Sequence, residues 1–159
     1  MMKLQFLLFT LLTVPVLHAF SQQNDPATSL TYDAEMAQKL GADELGMKNY
    51  VIAFLKSGPV KLTDSLQISE LQKAHLKNIT RLADEGKLLL AGPFLDNEPL
   101  RGIFIFDVAS VEEARQLTST DPAVKAGTLV MELHPWYGSA ALKEIPNLHR
   151  QIQKKAFGQ

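Results

Sequence analysis

Between His75 and Pro93 (HLKNITRLADEGKLLLAGP) the hydrophobic pattern of this chain changes period, from helical to strand-like, across the single residue Gly86. Ile68, Leu71, Ile79 and Leu82 recur at helical spacing. Lys87 to Ala91 then reads as a short apolar strand, ended by Gly92-Pro93. A long helix that returns at once into a strand has to bury its apolar stripe against the sheet that the strand joins. His75 falls on that stripe, so its imidazole is expected to face the sheet rather than water. In that place it serves either as a hydrogen-bonded core group or as the centre of a reactive site.

The remaining elements follow from the same periodicities. Tyr50 to Leu55 is a compact strand closed by Ser57-Gly58-Pro59, and the long helix is expected from about Asp64 to Glu85, capped by Thr63 or Ser65. Arg101 to Val108 is a strand that pairs with Lys87 to Ala91 as a hairpin across Asp96-Asn97-Glu98-Pro99. Ser110 and Glu113 form a capping box for a helix from Val111 to Ser119. After Asp121-Pro122 and a short turn over Ala123 to Ala126, Gly127 leads into a last strand, Thr128 to His134. Beyond Pro135-Trp136-Tyr137-Gly138 a terminal helix is expected from Ser139 to about Lys155, and Tyr32 to Leu40 reads as an extra N-terminal helix. The order is βαββαβ, an α+β ferredoxin-like arrangement with an extension at each end.

Lys3 followed by the apolar run Leu4 to Leu17, with small residues at Ala19 and Ser21, has the form of a cleavable signal peptide over residues 1–21. The run is shorter than the roughly 20 residues a membrane-spanning helix needs. Cleavage after Ser21 leaves an exported chain, periplasmic or secreted, with no membrane attachment. It is divided into a leader and short helix (22–48), a core domain (49–138) and a C-terminal helical extension (139–159). Removing Lys3 leaves 15 basic against 17 acidic residues, scattered along the chain, which argues against nucleic acid as a partner. The absence of cysteine excludes disulfides and thiolate metal sites. The histidines show no metal-ligand spacing, and there is no glycine-rich phosphate loop or serine nucleophile elbow, so neither metal nor cofactor is implied.

The span Tyr50 to Trp136 resembles the YCII-related family, which is related to muconolactone isomerases and belongs to the dimeric ferredoxin-like barrels. The pieces that carry the resemblance are YVIAFL, the AHL of Ala74 to Leu76, DEGKLLLAGP at Asp84 to Pro93, the SVEEA helix start, and TDPAVKAG at Thr120 to Gly127. The family pattern puts a histidine in the first helix and an aspartate before proline after the second. These map onto His75 and Asp121. The resemblance implies a homodimer that pairs its sheets face to face and binds a small organic ligand. The sets Val51, Ala53, Leu55, Ile103, Ile105, Leu129, Met131 and Leu133 are expected to supply the apolar face that needs such a cover.

Two classes of function stand on these residues. In the first, His75 acts as general acid and base with Asp121 orienting it, in a cofactor-free isomerase-like, lyase-like or dehalogenating reaction. In the second, the same pocket of a dimeric accessory module binds without transforming, which would leave His75 among leucines with no carboxylate in reach. A third reading is haem ligation by His75, as in some members of the wider barrel class. Asp121 has a structural role open to it as well, since an aspartate before Pro122 is placed to cap a helical turn. Arg101, with Glu98, flanks the hairpin turn and could meet a charged substrate or simply belong to a solvated turn, while His134 and Trp136 could line the pocket mouth, unless Trp136 plugs the core or a subunit interface. His149 lies in the charged terminal helix and is expected to be exposed.

Overall fold

The structure, a computed structural model, describes residues 31–155, and the signal-peptide reading of residues 1–21 lies outside them. The elements are α1 (Ala34–Leu40), β1 (Met47–Ser57), α2 (Ser65–Asp84), β2 (Leu88–Pro93), β3 (Leu100–Phe106), α3 (Val111–Thr118), α4 (Pro122–Lys125), β4 (Leu129–Ser139), a 3-10 helix (Ala140–Glu144) and α5 (Ile145–Ile152). The four strands form one antiparallel sheet in the order β2-β3-β1-β4. This is the ferredoxin-like α+β fold that the pattern predicts.

Register decides which side chains meet the helices. Val51 stands opposite Phe106 and Ala53 opposite Phe104. Together with Leu55 and Leu88 these residues form the main core with Leu82 of α2 and Ala114 of α3. Leu129, Met131 and Leu133 of β4 pack onto that same core. Ile52 stands opposite Ile105 and Phe54 opposite Ile103, on the other face. The sequence expectation that put the whole set on the face needing a cover is therefore corrected: Val51, Ala53, Leu55, Leu129, Met131 and Leu133 face the helices, and of that set Ile103 and Ile105 lie on the other face. A one-residue change of register exchanges the two faces of a strand, and only the pairing across strands fixes it.

Three element ends also differ from the sequence expectation. Asp64, not Thr63 or Ser65, caps α2, its carboxylate accepting the Gln67 N–H at 2.8 Å while Ser65 is already the first helical residue. β4 runs through Pro135 to Ser139, pairing with β1 as far as Met47. It lies at the sheet edge, where a proline is tolerated because one side of the strand has no ladder to complete. The single terminal helix is instead a 3-10 turn followed by α5, which begins at Ile145 beside Pro146 and stops at Ile152. Proline is accepted in a first turn and rejected in a helix interior, so Pro146 starts a new helix rather than continuing one.

The C-terminal segment is fastened to the domain. Buried Tyr50 donates its hydroxyl to the Ser139 carbonyl at 3.0 Å, and the Ala140 N–H reaches the Gly46 carbonyl at 2.9 Å. Leu142 covers Tyr50, Leu89 and Ile105, a second apolar cluster on the outer face of the sheet. From here α5 reaches the edge strand β2.

Candidate active site

His75 sits midway along α2, one turn before Asn78 and Ile79, and its side chain is buried. The ring stacks nearly parallel on Phe104 of β3, at 6.2 Å between centroids and 16° between planes. Its position is thus set by the core, as the helical stripe predicts. Asp121 reaches the same point from the loop between α3 and α4. Its Oδ1 accepts the Ala123 N–H at 2.8 Å, which makes it the cap of α4, with Pro122 in the first turn.

The two side chains are hydrogen bonded. His75 Nδ1 lies 2.8 Å from Oδ2 and 3.0 Å from Oδ1 of Asp121, a residue with 0% exposure. An ionised carboxylate only accepts, so Nδ1 carries the proton and donates it. That tautomer leaves the Nε2 lone pair free. Nε2 has no partner among the described residues, and the ring lines a cleft of about 950 Å³. Capping and orienting are therefore done by one carboxylate at once.

The neighbouring groups hold this pair in place. Thr120, just before Asp121, donates to Asn78 of α2 at 3.1 Å, and Arg81 donates to both at 2.9 Å. Behind α4, Gly127 takes a left-handed φ of 70° and turns the chain into β4. Gly58 approaches so closely there that an added Cβ would lie 2.1 Å from the Gly127 carbonyl oxygen. Lys87, just before β2, binds Glu113 of α3 at 2.8 Å. This hydrogen bond is the first cause that holds the Glu113 carboxyl below the usual glutamate range and the Lys87 ammonium above the usual lysine range.

The cleft follows the edge strand β2, with α2 on one side and α5 on the other. Leu71, Ile79 and Leu90 give it an apolar lining, and Ile68 is 46% exposed within it. Part of the stripe that reads as core in the sequence is therefore cleft wall. Of the remaining sequence candidates, Arg101 lines the cleft. His134 and Trp136 do not. They stand on the outer face opposite Ile52 and Tyr50, where His134 bonds Glu132 at 2.8 Å and Trp136 lies against the Tyr50 ring at 5.9 Å. The alternation in β4 that puts Leu133 on the core side puts both of its neighbours on the other side.

His149 is exposed as expected, but it lines the cleft, and Arg150 beside it does the same. Sequence reasoning missed both. The signal was the spacing of Ile145, His149 and Gln153, one face of a helix presented to a single surface. Among the described residues no group of three or more histidine or acidic side chains is placed to hold a metal ion.

The sequence matches the YCII-related domain over residues 47–137, more than half of the chain. The chain belongs to the YCII-related family. No curated protein sequence matches it. Among solved structures it is similar to the 5-chloro-2-hydroxyhydroquinone dehydrochlorinase (TftG) from Burkholderia phenoliruptrix AC1100, in complex with 2,5-dihydroxybenzoquinone. The identity is 26%, the match covers 56% of this chain and 93% of that one, and the TM-score is 0.41. The YCII-related region holds His75, Asp121 and Arg101, whereas the 3-10 helix and α5 lie beyond it.

Proposed function

We propose that this YCII-related protein is a small exported enzyme that moves a proton on a small organic molecule, with no cofactor, in an isomerase-like, lyase-like or dehalogenating reaction. The observation that carries the reading is the 2.8 Å bond from His75 Nδ1 to Asp121 beside the cleft, with Nε2 left open. Nε2 takes a proton from the substrate, and the carboxylate stays ionised and stabilises the imidazolium that forms. The proton then returns at another atom of the substrate, or a leaving group departs. A positioned base of this kind contributes roughly 10²–10⁴-fold in rate.

The test joins spectroscopy to exchange. In the purified protein, ¹⁵N NMR of His75 should report the tautomer protonated on Nδ1. Wild type, but not His75→Gln, should exchange carbon-bound protons for deuterium in a panel of enolisable lactones, ketones and halophenols. An imidazole protonated on Nε2 would overturn the reading.

Export and self-association belong to the same proposal. The exported product should begin at Gln22, and one beginning at Met1 overturns that part. A second copy covers the outer face of the sheet, where Val130 is 47% and Trp136 36% exposed and Ile52, Phe54 and Ile103 are half-buried. Sedimentation should give a dimer, and a monomer at every concentration overturns the pairing.

A further inference from the structure

We infer that the ligand of the cleft is an organic acid, with an apolar body against α2 and β2 and an anionic group held by Arg101 together with His149 and Arg150 of α5. The inference rests on the cleft being a small-molecule site, as proposed above, and adds the substrate class.

The charges lining the cleft are one-sided. Lys61, Arg101 and Arg150 face it against one carboxylate, Asp84, with His149 beside them. Among the described residues none of these three cations forms an ion pair; the exposed Lys73, Lys77, Arg115 and Lys125 outside the cleft form none either, so it is partial burial that sets one of the three apart. Arg101 is the telling case. It is half-buried, and its guanidinium makes a single hydrogen bond among the described residues, a 3.3 Å contact to the Glu98 carbonyl. A guanidinium has five N–H donors in a planar fork that suits a carboxylate. Burying such a group in part without an anion is costly unless something that comes and goes supplies one. Arg150 spends one donor on the neutral Asn147 side chain and keeps the rest.

The rest of the lining fixes the other half of the ligand. Leu71, Leu76, Ile79 and Leu90 make this end apolar, so a fully polar anion such as inorganic phosphate would leave it unfilled. An aryl or alkyl carboxylate, or a phenolate, satisfies both ends. Because α5 lies beyond residues 47–137, two of the three anion-binding side chains come from outside the shared domain. Selection for an acid thus draws on residues outside the matched domain as well as on Arg101 within it, whereas the reactive pair sits wholly inside.

The experiment uses two probes of one shape, benzoate and benzamide, titrated at low salt into the purified protein and followed by ¹H–¹⁵N NMR. Benzoate should bind about tenfold more tightly than benzamide, a difference of about 1.4 kcal/mol. Its shifts should centre on the amides of Ala91 and Gly102, both in the cleft wall. In Arg101→Gln with Arg150→Gln the preference should vanish with the spectrum otherwise preserved. Lys125→Gln, an exposed cation outside the cleft lining, should keep it. Equal binding of the two probes, binding of neither, or a preference that survives the double variant overturns the proposal. His75→Gln in the same titration separates the two readings. It should keep the preference for benzoate, so a failed tautomer or exchange test sinks the proton transfer without touching the anion site.

Discussion

The two ends of the cleft are built on opposite plans. At the His75 end every group has a second job in the fold: the imidazole packs on Phe104, and Asp121 caps α4 while it holds the ring. At the α5 end the side chains hang from a helix that buries none of its residues, with Leu148 56% and Ile152 80% exposed. A reacting group has to be held within a fraction of an ångström, and only packing supplies that. A charge that greets an anion tolerates looser placement, so it can ride on a marginal helix. Substitutions at the first end should therefore alter stability and chemistry together, whereas those at the second should alter recognition alone.

Asp121→Ala should give the largest effect. It removes a helix cap, worth about 1 kcal/mol, and leaves a buried imidazole N–H without an acceptor, at about 1–3 kcal/mol. Urea unfolding should show a loss of about 2–4 kcal/mol. Asp121→Asn keeps an acceptor for both donors and should recover most of that loss while still losing proton exchange. If Asp121→Ala were as stable as wild type, the buried end would not be the scaffold described here. Phe104→Leu comes next, with a loss of about 1–2 kcal/mol from a residue only 2% exposed. The unstacked ring should also broaden in the ¹⁵N spectrum.

Ending the chain after Glu144 probes the other plan. Without α5, stability should fall by about 1 kcal/mol or less, and the preference for benzoate over benzamide should go. A larger loss would make α5 part of the core and erase the contrast. The smallest effect concerns the support of β2. Because the Glu113 carboxyl is held low by Lys87, its contribution is complete above the usual glutamate range and fades as pH falls through the lowered value. Lys87, held high, contributes below the usual lysine range and loses that share as pH rises through the raised value. Glu113→Gln should thus lie slightly below wild type at neutral pH and converge with it in acid, as read by thermal melts across pH.

How much of this was legible in the sequence depended on whether a feature was local. The helix–strand alternation, the Ser110 cap and the stop of α2 before Gly86 are written in neighbouring residues, and the structure repeats them. The meeting of His75 with Asp121 joins residues 46 apart, and only the resemblance to a family brought them together before the fold did. Register is likewise not local, which is why the Val51, Ala53 and Leu55 set and Leu129, Met131 and Leu133 were expected on the face away from the helices, and His134 and Trp136 in the cleft. The stripe of α2 illustrates a different loss. Ile68 and Leu82 look alike in a periodic pattern, yet one is 46% exposed in a cleft and the other is 1% exposed in the core.

The hydroxyl of Tyr50 has a consequence for where this molecule can be cut. Its acceptor, the carbonyl of Ser139, falls two residues past the end of the recognisable domain at residue 137. Trimming to that boundary would strand a buried phenol and uncover Leu89 and Ile105 where Leu142 had lain. The segment that looks like an appendage is, up to Leu142, a wall of the house. The unit recognised by likeness and the unit that folds therefore end at different residues, and the second is the longer.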